Sequence, residues 1–177
     1  MTETELLDKF QELNSSCIER HKHKRDARGA WNKCLGSITS CLFSHCLMES
    51  VKKKYDFSPP NSFIEGFSNE FDLLVLKKGA MPYEFTSIYS PNDVVCCLEF
   101  KSYGPFQNTT QLAAYGRKFK KMLKSLRKKN KNIKIIYLTM IISDRKFENV
   151  KNAFSPDIKC FRIGDGVWAD LIETIGA

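Results

Sequence analysis

The run DVVCCLEFKS, residues 93–102, changes character at its end: after Val94, Val95, Cys96, Cys97 and Leu98 come a carboxylate, Glu99, and an ammonium, Lys101. Side chains alternate between the faces of a strand, so Glu99 and Lys101 share a face with Val95 and Cys97, while Leu98 and Phe100 point the other way. A second carboxylate, Asp72, stands immediately before the apolar part of FDLLVLK, residues 71–77. If the two runs pair as antiparallel neighbours, the start of one lies beside the end of the other, and Asp72 meets Glu99. Two carboxylates and a lysine gathered in this way have a chemical use. Hard divalent cations such as Mg²⁺, with Mn²⁺ as a substitute, take one or two carboxylates plus water and substrate phosphate. Such an ion polarises a phosphate and lowers the pKa of an attacking water. Lys101 can orient or help deprotonate that water, or neutralise charge building on phosphate oxygens. The bland alternative is a strand that has reached its sheet edge, where Glu99 and Lys101 form a weak surface pair.

The charge distribution points to a phosphate-rich partner. The 177-residue chain has a formal net charge of +8, and no acidic residue falls between Glu99 and Asp144. That interval holds Lys101, Arg117, Lys118, Lys120, Lys121, Lys124, Arg127, Lys128, Lys129, Lys131 and Lys134. A positive patch of this kind favours nucleic acid first and an anionic membrane surface second. It also suits a solvated helix face that merely aids solubility. Arg117, Lys118, Lys121, Lys124 and Lys101 are the candidate phosphate contacts.

The length suits one domain over 1–177. Seven cysteines, an odd count, with no N-terminal apolar segment resembling a signal peptide, point to a reducing cytosol and to thiols packed as small hydrophobes. Cys34, Cys41, His45 and Cys46 lack the C-x2-C spacing of common zinc sites. No run of 18 apolar residues exists to span a membrane.

The elements that must position these residues follow from periodicity. Leu6, Leu7, Phe10, Leu13 and Cys17 predict a helix over 3 to about 19, and His21-Lys-His-Lys-Arg25 a basic loop. Trp31, Cys34, Leu35, Ile38, Cys41, Leu42 and His45 predict a longer helix capped by Asp26. Glu49 ends its apolar stripe, either emerging into solvent or serving a site. Short strands are expected at 63–67 and 71–77, a loop over 80–92, and a strand at 94–101. Gly104-Pro105 ends that strand, and Asn108 opens a helix with Leu112, Tyr115, Phe119, Met122, Leu123 and Leu126 as its core stripe. IKIIYLTMII, 133–142, reads as a strand buried on both faces; 160–163 is a short strand and 167–175 a closing helix. This order predicts an α/β fold with a mixed sheet of four to five strands flanked by helices.

Asp72 followed by Glu99-Phe100-Lys101 at the end of an apolar strand resembles the PD-(D/E)xK nuclease superfamily. Gln111-Leu-Ala-Ala-Tyr115 resembles the QxxxY signature of its RecB-like branch, and Asn69-Glu-Phe-Asp72 the approach to the catalytic aspartate. The resemblance covers roughly 27–142, leaving 1–25 as an N-terminal helix and basic loop and 143–177 as a C-terminal strand and helix. It implies a restriction-endonuclease-like αβββαβ core and a Mg²⁺-dependent nuclease. Asp72 and Glu99 would be metal ligands and Lys101 catalytic, with Gln111 and Tyr115 supporting the site and contacting substrate backbone. Glu49 would match the first-helix glutamate that some members add, with Glu65 or Glu70 competing for that place. Phe71 departs from the nominal proline. Tyr115 also lies on the apolar stripe, so ordinary core packing competes for it.

The expectation is therefore a DNA endonuclease of restriction, defence or repair type, with a homodimeric arrangement compatible with so small a chain. The alternatives are a catalytically silent nucleic-acid-binding or assembly module on the same fold, and a membrane-surface or protein-interaction domain using the basic helix.

Overall fold

The computed structural model describes residues 2–21, 25–101, 109–140 and 143–176. The expected basic turn at 22–24, the Gly104-Pro105 break, Asn108 and the strand end at 141–142 lie outside the described residues, as do the side chains of Cys17, His21, Trp31, Cys34 and Leu35. Two helices open the chain, α1 (Glu3–His21) and α2 (Arg25–Val51). Since α2 already includes Arg25, Asp26 lies in its first turn and does not cap it.

Six strands follow: β1 (Tyr55–Phe57), β2 (Ser62–Ile64), β3 (Glu70–Phe71), β4 (Leu73–Lys77), β5 (Ile88–Tyr89) and β6 (Val94–Lys101). Then come α3 (Thr109–Lys129), β7 (Lys134–Met140), α4 (Asp144–Ala153), β8 (Ile158–Ile163) and α5 (Trp168–Ile175). The central sheet is mixed, in the order β1-β4-β6-β7-β8. Its first three strands are antiparallel and β6, β7 and β8 are parallel. Taken through α2, β1, β4, β6, α3 and β7, the core has the expected αβββαβ order, with α1 as an N-terminal helical extension.

Two expected strands are placed differently. The 63–67 segment is not in the central sheet: β2 pairs with β3 and β5 in a separate three-stranded sheet, and β1, with only three residues of signal, takes the edge beside β4. The 71–77 run divides at Asp72, because Phe71 pairs with Ser62 of the small sheet and Leu73 with Leu98 of the central one.

Parallel neighbours require a crossover. α3 connects β6 to β7, and α4, which is not among the expected elements, connects β7 to β8. On one side of the sheet, α1, α2 and α5 cover Leu73, Val75, Leu98, Phe100 and Ile136. On the other, α3, α4 and the small sheet cover Leu74, Cys97, Ile135 and Tyr137. A register shift between Val75 and Leu76 reverses the local alternation of β6, so Val94 and not Val95 packs on the side of Cys97. No helix among the described residues is long and apolar enough to cross a membrane.

The α3–α4 crossing depends on Gly116. A Cβ there would stand 2.0 Å from the Ala153 carbonyl oxygen, a backbone atom that cannot rotate away. Gly116→Ala is expected to destabilise the chain by about 1–3 kcal/mol through overpacking. For this size, Tm should then fall by roughly 3–10 °C. An unchanged Tm in a circular-dichroism melt would show that α4 does not pack there.

Candidate active site

Asp72 occupies the step between β3 and β4, where the chain passes from the small sheet into the central one. Its carboxylate continues the β4–β6 ladder in place of a backbone carbonyl: the Phe100 N–H donates to Asp72 Oδ2 at 2.6 Å. Because β4 and β6 are antiparallel with Leu73 opposite Leu98, Asp72 comes alongside Glu99.

The two acids converge on one amine. Lys101 Nζ lies 2.6 Å from Glu99 Oε1 and 3.4 Å from Asp72 Oδ2. The Asp72 and Lys101 side chains are each 29% exposed and that of Glu99 10%, so the cluster is open on one side and buried on the Glu99 side. That burial excludes the weak surface pair as a description of Glu99.

Tyr115 reaches the cluster from the second turn of α3, donating its hydroxyl to Glu99 Oε1 at 2.7 Å. It is also a core residue, packed against Phe119 with ring centres 4.8 Å apart. The ring packs in the core while the hydroxyl meets the Glu99 carboxylate. Beneath it Tyr137 and Phe154, 4.7 Å apart, complete an aromatic floor under Glu99. On the opposite side of the sheet, Phe43 of α2 stacks on Phe100 at 5.4 Å and fixes the strand that carries Glu99 and Lys101.

Burial on this floor pushes the Glu99 carboxyl above its ordinary value, with Asp72 adding to the rise, although Lys101 and Tyr115 oppose it. Burial pulls Lys101 down, but the charges of Glu99 and Asp72 outweigh it and hold the amine above its usual range. The Tyr115 hydroxyl is raised by burial and by the charge of Glu99, so it stays protonated and donates.

The remaining candidates are distributed around this cluster. Gln111 lies one turn before Tyr115, on exposed surface. Arg117, Lys118, Lys121 and Lys124 are all exposed. At about 100° per residue, Lys118 falls about 60° from Tyr115, whereas Arg117, Lys121 and Lys124 fall on the far side of the helix. A polyanion lying on those three would follow the outer surface of α3 and meet Lys118 at its shoulder.

Glu49 is not brought to the cluster. It is exposed on the last turn of α2 and pairs with Lys52 at 2.6 Å. That helix leads into β1, whose Tyr55 pairs with Lys77, the end of β4 remote from Asp72. Glu65 accepts from the Tyr83 hydroxyl instead, and Glu70 is exposed on β3. Among the described residues no group of three or more acid, histidine and cysteine ligands forms, so Asp72 and Glu99 stand as a pair.

Two residues that periodicity did not single out sit beside that pair. Tyr137 is opposite Glu99 and Thr139 opposite Lys101 across β6 and β7, and both hydroxyls are buried with no hydrogen-bond partner among the described residues. The available signal was their polarity within IKIIYLTMII.

No family model matches the chain, and no curated protein matches it in sequence. Similar solved structures include NucC of P. aeruginosa ATCC27853 in its cAAA-bound form, 14% identical with a TM-score of 0.44 over 78% of this chain and 63% of that one. NucC of E. coli MS115-1, cAAA-bound, is 14% identical with a TM-score of 0.49 over 94% and 72% of the two chains. Its apo form is 16% identical with a TM-score of 0.36 over 75% and 60%. The present chain thus spans less than two thirds of the P. aeruginosa protein.

Proposed function

We propose that this chain is a metal-dependent nuclease that hydrolyses DNA phosphodiester bonds, cutting internally. The observation that carries the reading is the convergence of Asp72 and Glu99, from adjacent strands, on the Lys101 amine. Two carboxylates already sharing one cation, on a side partly open to solvent, suit a hard divalent ion that keeps its other positions for water and phosphate. Mg²⁺, or Mn²⁺ in its place, would be held by Asp72 and Glu99 and would supply polarisation of the phosphate and acidification of the attacking water.

The rest falls to the chain's own groups. The Phe100 N–H aims Asp72, and Tyr115 with Lys101 fixes Oε1 of Glu99, so both acids are oriented before anything binds. Lys101, beside them, neutralises negative charge gathering on the phosphate oxygens or orients the water. Gln111 and Tyr115 would act as the RecB-like element, with Gln111 touching the substrate backbone, and Arg117, Lys118, Lys121 and Lys124 would follow phosphates. The same reading includes a restriction, defence or repair role, a homodimer as the working form, and a reducing intracellular compartment. The last fits Cys96 and Cys97, buried thiols raised by desolvation and packed as small apolar groups.

The test is incubation with supercoiled plasmid, linear duplex and single-stranded DNA, with Mg²⁺ or with a chelator. Conversion of closed circles to nicked or linear forms only in Mg²⁺ is expected. Salt-sensitive binding with no cleavage in either Mg²⁺ or Mn²⁺ would leave a binding module.

A further inference from the structure

The small sheet carries a feature that phosphodiester hydrolysis does not use. Phe63, Phe67 and Tyr83, with Ile64, Gly66 and Ile88, line an open cleft of about 400 Å³. Its charged lining residue, Glu65, is held by the Tyr83 hydroxyl at 2.9 Å. The basic helix ends at the same place: Lys129 Nζ lies 3.4 Å from the Glu65 carbonyl oxygen and 5.7 Å from the Phe67 ring centre. Two residues beyond Tyr83, Phe85 is 99% exposed and sits at a φ of 58°. That backbone region costs a bulky residue on the order of 1–3 kcal/mol. The turn nevertheless keeps its shape, through the Tyr83 N–H to the Ile88 carbonyl and the Thr86 N–H to the Tyr83 carbonyl. A strained turn that holds an aromatic ring wholly in solvent gains nothing for the fold from that ring.

We propose that this aromatic patch is a stacking platform for unpaired nucleobases of a single-stranded segment whose phosphates follow α3. The occupant is argued from charge and shape together. α3 contains no acidic residue, and its last lysine borders the cleft, so a polyanion on the helix arrives at the rings. Every base offers a flat face to such rings, and a basic track with interleaved aromatics is the usual means of holding single strands. Glu65 accepts hydrogen bonds only, so a base that meets it does so through an N–H donor, whether an exocyclic amine or a ring N–H. The inference rests on the nucleic-acid reading above and adds to it a preference for unpaired strands.

Binding of a short fluorescent DNA single strand is compared with that of an abasic strand of equal length, without divalent cation. The abasic strand keeps the phosphates and lacks the stacking faces. The wild type is expected to prefer the intact strand by about tenfold. Phe85→Gly relieves the backbone, so it should fold at least as well, yet bring the intact strand down towards abasic affinity while leaving the abasic strand unchanged. Equal affinities in the wild type, or a preference untouched by Phe85→Gly, overturn the proposal. So does a change of oligomeric state in that variant, or wild-type binding to anionic vesicles that the variant loses, since these assign the patch to protein or lipid. A preserved base preference without Mg²⁺-dependent cleavage removes the nuclease reading alone; cleavage with equal affinities removes this inference alone.

Discussion

Lys101→Ala is expected to lower the rate of plasmid cleavage in Mg²⁺ by at least about 10²-fold, the usual effect of removing one pre-positioned charge from a reacting centre. DNA binding should remain within a few-fold of wild type. The two readouts separate because Lys101 is one of eleven basic residues between Glu99 and Asp144, so its share of phosphate contacts is small. Its place in the site, by contrast, is specific: 2.6 Å from Glu99 and 3.4 Å from Asp72. Lys101→Arg should lose nearly as much, because a planar guanidinium does not substitute for a compact ammonium in a gap of this size. Asp72→Asn should act differently, raising the Mg²⁺ concentration needed for half-maximal cleavage. Nicking rates for the three variants, measured beside filter binding, check this. Cleavage by Lys101→Ala at the wild-type rate would remove Lys101 from the chemistry.

Glu99→Gln should abolish cleavage and yet stabilise the metal-free protein at neutral pH relative to wild type. The Glu99 carboxyl is raised above its ordinary 4.5, first by burial and also by Asp72. A carboxyl whose folded pKa exceeds its unfolded one holds its proton longer in the folded state. Its contribution is therefore most favourable at low pH and is lost as pH rises from about 4.5 through the folded value. Glutamine keeps the shape and still accepts from Tyr115 and Lys101 through its carbonyl oxygen, without a buried charge. Melting curves in a chelator between about pH 5 and pH 8 should show the Tm advantage of Glu99→Gln growing with pH. Saturating Mg²⁺ should narrow that advantage if, as proposed, Glu99 is one of the groups that hold the ion in the folded wild type. An advantage that shrinks as pH rises would mean that Lys101 more than compensates the desolvation of Glu99.

What was legible beforehand follows a physical division. The alternation of β6 is local, so the shared face of Glu99 and Lys101 could be read from their spacing, and the run before Tyr137 and Thr139 announced a strand buried on both sides. α4 was missed because its buried signal is slight: Val150 is its fully buried residue. Phe147, Val150 and Phe154 do recur at helical spacing after Ser143, and a parallel β7–β8 pair would have demanded a crossover. The wheel of α3 showed that Gln111 and Tyr115 share a side but not which residue the Tyr115 hydroxyl would meet.

By itself, then, the amino-acid order determined the charged end of one strand, the basic helix and the approximate list of elements, because periodicity and charge belong to neighbouring residues. Tertiary structure alone decided that Asp72 breaks a strand between two sheets, that β1 and not the 63–67 segment flanks β4, that a bulge reverses Val94 and Val95, and that Glu49 turns to Lys52. Each of these is settled by competition among pairings far apart in the chain, in which backbone hydrogen bonds and the burial of whole faces outweigh local preference.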